Sequence, residues 1–156
     1  LLISENPDAV LVRPWNADAG SLLHLAAEAG DGGVVALLVE RGAALGAVDD
    51  DGQTALHVAV ANGHFAAVES LTAPADSHAQ LMLLDTYKMS PFHLACEGGE
   101  AEMVRLLLDK LRQGGEDEAA VRDLRRGSAN FLARQHNHEA VVDLLESLRS
   151  SFVSAA

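Results

Sequence analysis

The chain repeats itself, and this restricts its fold more than any other feature. Ser21-Leu22-Leu23-His24-Leu25-Ala26-Ala27, Thr54-Ala55-Leu56-His57-Val58-Ala59-Val60 and Ser90-Pro91-Phe92-His93-Leu94-Ala95-Cys96 align residue for residue. Their first members lie 33 and 36 positions apart. A weaker fourth copy, Ser128-Ala129-Asn130-Phe131-Leu132-Ala133-Arg134, begins 38 positions after the third. Each copy is followed by a break and an apolar stretch: Gly30 before Val34–Leu38, Gly63-His64 before Ala67–Leu71, Gly99 before Met103–Leu107, and Asn137-His138 before Val141–Leu145. A period of this length means that one supersecondary unit recurs. Neighbouring units must then stack to cover their apolar faces.

Local chemistry fills in the unit. Ser21, Thr54, Ser90 and Ser128 stand where a hydroxyl can cap a helix by accepting from its free N–H groups. Pro91 suits the first helical position, where its missing N–H is no loss. The first helix is expected to run about seven to nine residues, too short to survive alone in water. Gly30, Gly63 and Gly99 end it, because a left-handed residue is least costly without a Cβ. A second helix follows, with apolar residues such as Val34, Val35, Leu37 and Leu38 on one side, and stops near Gly42.

The phased Thr-Pro-Leu-His-x-Ala-like heptapeptides, each with its second helix, resemble the ankyrin repeat over nearly the whole chain. The resemblance implies an all-α solenoid of L-shaped helix-turn-helix units with hairpin-like fingers. The fingers are expected at Trp15–Gly20, Val48–Gln53, Asp85–Met89 and Asp123–Gly127; Asp49-Asp50-Asp51-Gly52 is good turn chemistry in its own right. The expected division is 1–17 (end of a preceding or capping repeat), 18–50, 51–86, 87–124 and 125–156 (a C-terminal capping unit). Departures are visible. Thr72–Leu84 carries three extra residues and Lys110–Arg122 carries five, including Gly114–Glu118, which loop-closure entropy tolerates. The fourth copy has Phe131 in place of histidine and Asn130 in place of an apolar residue, as suits an outer face that meets water.

The charge balance bears on partners. Lys and Arg number 11 and Asp and Glu 23, a net charge of −12. Such a surface repels phosphate backbones and anionic membranes, so neither nucleic acid nor a membrane is the expected partner. The Arg122, Arg125 and Arg126 cluster is too small for a nucleic-acid footprint. Cys96 is the lone cysteine; no intramolecular disulfide can form, which points to a reducing, intracellular setting, cytoplasmic or nuclear. No apolar run approaches the roughly 20 residues needed to span a bilayer. The opening Leu1-Leu2-Ile3 lacks a basic-then-apolar leader and suggests a piece of a longer protein.

Chemistry is sparse. His24, His57 and His93 recur at one position, but stacked units hold equivalent residues about 10 Å apart, too far to share an ion. The resemblance implies that they make structural hydrogen bonds between units. His64, His78, His136 and His138 lack helical i, i+4 spacing and a cysteine partner, so they form no zinc set. Cys96 aligns with Ala27 and Val60 and has acidic Glu97 and Glu100 nearby, the setting of a small buried hydrophobe rather than a nucleophile. Gly30-Asp31-Gly32-Gly33 follows a helix rather than a strand and reads as a helix–helix turn. The Asp49–Asp51 and Glu116–Glu118 runs read as solvated turns. No catalytic residue, cofactor or metal is expected.

The resemblance implies a binding surface on the finger tips and the solvent side of the first helices. Carried over by position, it comprises Ala17, Asp18, Gly20, Glu28 and Ala29, then Asp50, Asp51, Gln53, Ala61 and Asn62. The third unit adds Thr86, Tyr87, Met89, Glu97 and Gly98, and the fourth Leu124, Arg125, Gln135 and His136. Trp15, Tyr87 and Met89 are natural interface anchors. Asp18, Glu28, Asp50, Asp51 and Glu97 would steer a basic ligand. The expected function is a monomeric, non-catalytic scaffold or adaptor that binds a partly basic, extended segment of another protein. The alternatives are a regulatory or substrate-recruiting domain of a larger enzyme, and a structural spacer.

Overall fold

The hydroxyl residues, prolines and glycines of the repeat set the helix boundaries. The computed structural model describes residues 22–74, 77–113 and 128–154, so the expected fingers at 15–20 and 123–127, Ser21, the 114–118 run, Trp15 and Asp18 lie outside the described residues. Among the described residues, four helix pairs follow in order: α1 Leu22–Ala29 with α2 Gly32–Glu40, α3 Ala55–Ala61 with α4 Phe65–Leu71, α5 Pro91–Gly98 with α6 Ala101–Gln113, and α7 Ser128–Gln135 with α8 Glu139–Ser154. Among the described residues there is no strand. Thr54 and Ser90 sit at the N-caps of α3 and α5, accepting from the backbone N–H of His57 and His93, and Pro91 opens α5. Asp31 caps α2 by accepting from Val34 N–H.

The bend between paired helices needs a left-handed residue. Gly30, Gly63 and Gly99 take φ of 76°, 70° and 77° there, and Asn137 takes 60° at the fourth bend. Asparagine is among the side chains that tolerate this region best. First helices stack on first helices, α1 on α3, α3 on α5 and α5 on α7, while α2 packs on α4 and α6 on α8. The core runs through the stack: Leu23 and Leu38, Leu56 and Leu71, Phe92, Met103, Leu107 and Leu111, then Val141 and Leu145, all at most 2% exposed. Burying each such side chain contributes about 1.5–3 kcal/mol. A helix of seven or eight residues exists only because of this burial.

Two connections are more structured than loop-closure entropy alone requires. Within Thr72–Leu84, Ser77–Met82 forms a short 3₁₀ helix against α5 and α6. Leu81 enters the core at 1% exposure, and Gln80 Nε2 donates to the orphan Leu71 carbonyl at 3.0 Å. The extra residues thus close the C-terminal end of α4. After the third unit, α6 runs past Lys110, where the connection was expected to begin, and continues to Gln113. Leu111 explains the extension, since it is buried in the core at 1% exposure.

The outer face of the fourth pair differs from the third in a way the period makes legible. Cys96 and Leu108 are buried within the stack. The positions 38 residues later are Arg134 and Glu146, an exposed ion pair. Phe131, at the histidine position, is 66% exposed.

Candidate functional site

Each described finger is built around one aspartate. The Asp49 carboxylate accepts from Asp51 N–H at 3.0 Å and Gln53 N–H at 2.9 Å. The Asp85 carboxylate accepts from Tyr87 N–H at 2.8 Å and Met89 N–H at 2.9 Å. The two turns are the same structure displaced by 36 residues. Gly52 and Lys88 occupy the same left-handed corner, with φ of 72° and 64°. The fingers are joined edge to edge, Thr86 N–H donating to Asp51 C=O at 3.0 Å. A Cβ on Gly52 would lie 3.1 Å from Thr86 N, so glycine serves both the turn and the close approach.

Histidines lock these fingers to the helices. His57 Nδ1 accepts from Thr54 N–H at 3.1 Å, which leaves the proton on Nε2 to donate to Met89 C=O at 3.1 Å. His24 Nε2 makes the matching contact to Gln53 C=O at 2.8 Å, and His93 Nε2 to Ser128 Oγ at 3.1 Å. Burial holds the His57 pKa below its ordinary 6.5, desolvation outweighing the attraction of the Met89 carbonyl, Asp85 and Asp49. The expected structural role of the three histidines is therefore seen directly.

A second histidine set joins the helix bends. His64 Nε2 bonds Glu28 C=O at 2.9 Å, and His138 Nε2 bonds Glu97 C=O at 2.7 Å. Both carbonyls belong to first helices that would otherwise end unpaired. A Cβ on Gly30 would strike the His64 ring at 2.6 Å, and one on Gly99 would strike the His138 ring. The ring of His136 stacks on that of His138 at 6.1 Å, with its Nε2 3.8 Å from the Glu97 carboxylate.

The remaining surface residues sort by exposure. Asp50, Asp51 and Tyr87 are exposed on adjoining finger tips, and Tyr87, at 69%, does not lie flat on a helix. Gln53 and Met89 are half-buried; their carbonyls serve the histidines and Gln53 Nε2 reaches Asp85 at 3.5 Å. Glu28 and Asn62 are exposed at the ends of α1 and α3, and the Asn62 amide donates to Val58 C=O at 2.8 Å. Glu97, near the end of α5, is half-exposed. The arrangement brings four acidic side chains and one aromatic to one hydrogen-bonded row of fingers and the helix ends behind it. Sequence reasoning passed over Val48 and Leu84, 58% and 54% exposed. Their signal was an aliphatic residue immediately before each finger aspartate.

Among the described residues, no three His, Cys, Asp or Glu side chains are placed to hold a metal. Cys96 is fully buried. A cleft between α2 and α4 is lined by Ala36, Val39, Glu40, Glu69, Ser70, Ala73 and Pro74. Its one hydroxyl, Ser70 Oγ, is held by the Gly32 and Ala66 carbonyls, each at 3.0 Å. No described helix is long and apolar enough to cross a membrane.

Comparison with known proteins agrees with this geometry. A family model described as "Ankyrin repeats (3 copies)" matches residues 1–81, and another described as "Ankyrin repeat" matches residues 87–114. A transient receptor potential cation channel subfamily A member 1 homologue of Caenorhabditis elegans is 30% identical over 119 residues. The match covers 76% of this chain and 9% of that protein.

Proposed function

Because the chain belongs to the ankyrin repeat family, whose members are in general protein-interaction modules, we propose that it is a non-catalytic scaffold or adaptor binding a partly basic, extended segment of another protein. The segment lies along the acidic face formed by the fingers and first-helix ends. The observation that carries this reading is that Glu28, Asp50, Asp51 and Tyr87 are exposed and Glu97 half-exposed along the fingers and first-helix ends. Their backbone is fixed before any partner arrives, by the Asp49 and Asp85 turns and the histidine bonds. A preformed surface avoids the ordering cost of binding. The acidic residues supply steering and select against acidic partners.

The test is reversal of Asp50, Asp51 and Glu97 to lysine. Affinity for the protein partner falls at least about tenfold, since each rim charge alters binding modestly and three act together. Unchanged affinity refutes the assignment. The small share of the channel homologue that this chain matches favours a second reading, in which the module serves as the recruiting part of a larger protein. That reading keeps the same face and the same test.

A further inference from the structure

Val48 and Leu84 set a spacing along the finger row. They are equivalent residues, since each immediately precedes the aspartate that folds its finger. Both are more than half exposed. The first helices behind them stack in order, and packed helices stand about 8–10 Å apart, so the two aliphatic side chains recur at about 10 Å. Leu83, 41% exposed, adjoins Leu84, and the exposed Asp50, Asp51 and Lys88 share these fingers, so the apolar surface comes as two spots in a charged row.

Resting on the function proposed above, we propose that the finger row takes a polyproline II segment with an apolar side chain at every third residue and basic residues between. The spacing selects this conformation. A β-strand returns to the same face every second residue, about 6.7 Å, and overshoots or falls short of the anchors. Polyproline II rises about 3.1 Å per residue with three residues per turn, which places the same side forward every ~9.3 Å. An α-helix matches the distance only over about seven residues, and it docks through an apolar stripe at least about 100° wide. Val48 and the Leu83–Leu84 pair, with exposed Asp50, Asp51 and Lys88 in the same fingers, do not provide such a stripe. The two residues between anchors point to either flank, where Asp50 and Asp51 on one finger and Glu97 on the following helix supply negative charge. Tyr87, 69% exposed on the adjoining tip, adds the aromatic surface on which prolyl rings dock.

The experiment measures binding of three labelled peptides to the chain by fluorescence anisotropy. The first repeats Leu-Pro-Arg, the second has the same composition with leucine clustered at alternate positions, and the third is a helix-forming Lys/Ala peptide with leucine every seventh residue. The first is expected to bind about tenfold more tightly than the second, the gain from seating apolar anchors in register. The double variant Val48→Ser, Leu84→Ser should abolish that preference while circular dichroism shows the helices intact. Equal binding of the first two peptides, tightest binding of the third, or a preference that survives the double variant each overturns the proposal. Asp50→Lys with Asp51→Lys separates charge recognition from apolar register. If it weakens every peptide while spacing has no effect, only the register is wrong; if it weakens none, the acidic-face reading fails as well.

Discussion

Replacing His57 by leucine keeps an apolar body of comparable size at a fully buried position but removes both ring nitrogens. Thr54 N–H loses its acceptor at 3.1 Å, while Met89 C=O loses one of two donors and keeps Asp85 N–H at 2.9 Å. A buried polar group left unpaired costs about 1–3 kcal/mol. With the Met89 carbonyl still paired, the cost falls on Thr54 N–H and comes to about 1–3 kcal/mol. That is a large part of the ~5–15 kcal/mol by which a domain is stable. The substitution also changes the pH dependence. Burial lowers the His57 pKa from 6.5, so the unfolded chain takes up a proton where the folded chain does not. Stability is therefore full above about 6.5 and is lost as pH falls from there toward the folded value, by at most about 1.4 kcal/mol per unit. In the leucine variant this increment disappears. Urea unfolding followed by circular dichroism, at pH about 7.5 and about 5.5, measures both effects. A cost below about 0.5 kcal/mol, or an unchanged difference between the two pH values, would refute the assignment of His57 as the joint between finger and helix.

Other substitutions test other contacts. Gly99→Ala drives a Cβ into the His138 ring at φ of 77° and should cost about 2–4 kcal/mol, strain and clash together; Gly42→Ala, at φ of 83° with nothing within 4 Å, should cost only the strain, about 1–2 kcal/mol. Thermal unfolding of the pair separates the two terms. Lys88→Gly relieves a left-handed lysine and should stabilise the chain by about 0.5 kcal/mol after glycine's own entropy is subtracted; a lower Tm would contradict this. Phe92→Ala, at a fully buried position, should cost about 3–5 kcal/mol, whereas Phe131→Ala, at 66% exposure, should cost under about 1 kcal/mol. Denaturant midpoints decide whether Phe131 is as peripheral as its exposure says.

The period carried the fold because each constraint it encodes is local. Hydroxyl caps, Pro91 and the glycines act on their own helix, so Thr54, Ser90 and Gly99 could be placed without knowing their neighbours. Even Asn137 at a left-handed bend follows from its alignment with Gly99. What escaped depends on side chains meeting across units. The bonds from His64 to Glu28 and from His138 to Glu97 span 36 and 41 residues, and no short motif announces them. The run Asp49-Asp50-Asp51 hides which carboxylate folds the turn, and only the hydrogen bonds single out Asp49. Ser77–Met82 interrupts the period, so the alignment could mark it as extra but could not foresee that Leu81 would be buried. Exposure of Val48 and Leu84 is likewise a tertiary property, since an aliphatic residue in a repeat reads first as core.

The most direct test of the binding face compares two variants of equal net charge in affinity capture, each checked for folding by circular dichroism. One carries Asp50→Lys, Asp51→Lys and Glu97→Lys on the fingers and α5; the other carries Glu40→Lys, Glu69→Lys and Glu102→Lys, exposed on the second helices α2, α4 and α6. The account predicts that a protein held by the native chain is retained by the second-helix variant and lost by the finger-side variant. Loss from the second-helix variant alone, or equal retention by both, would contradict it.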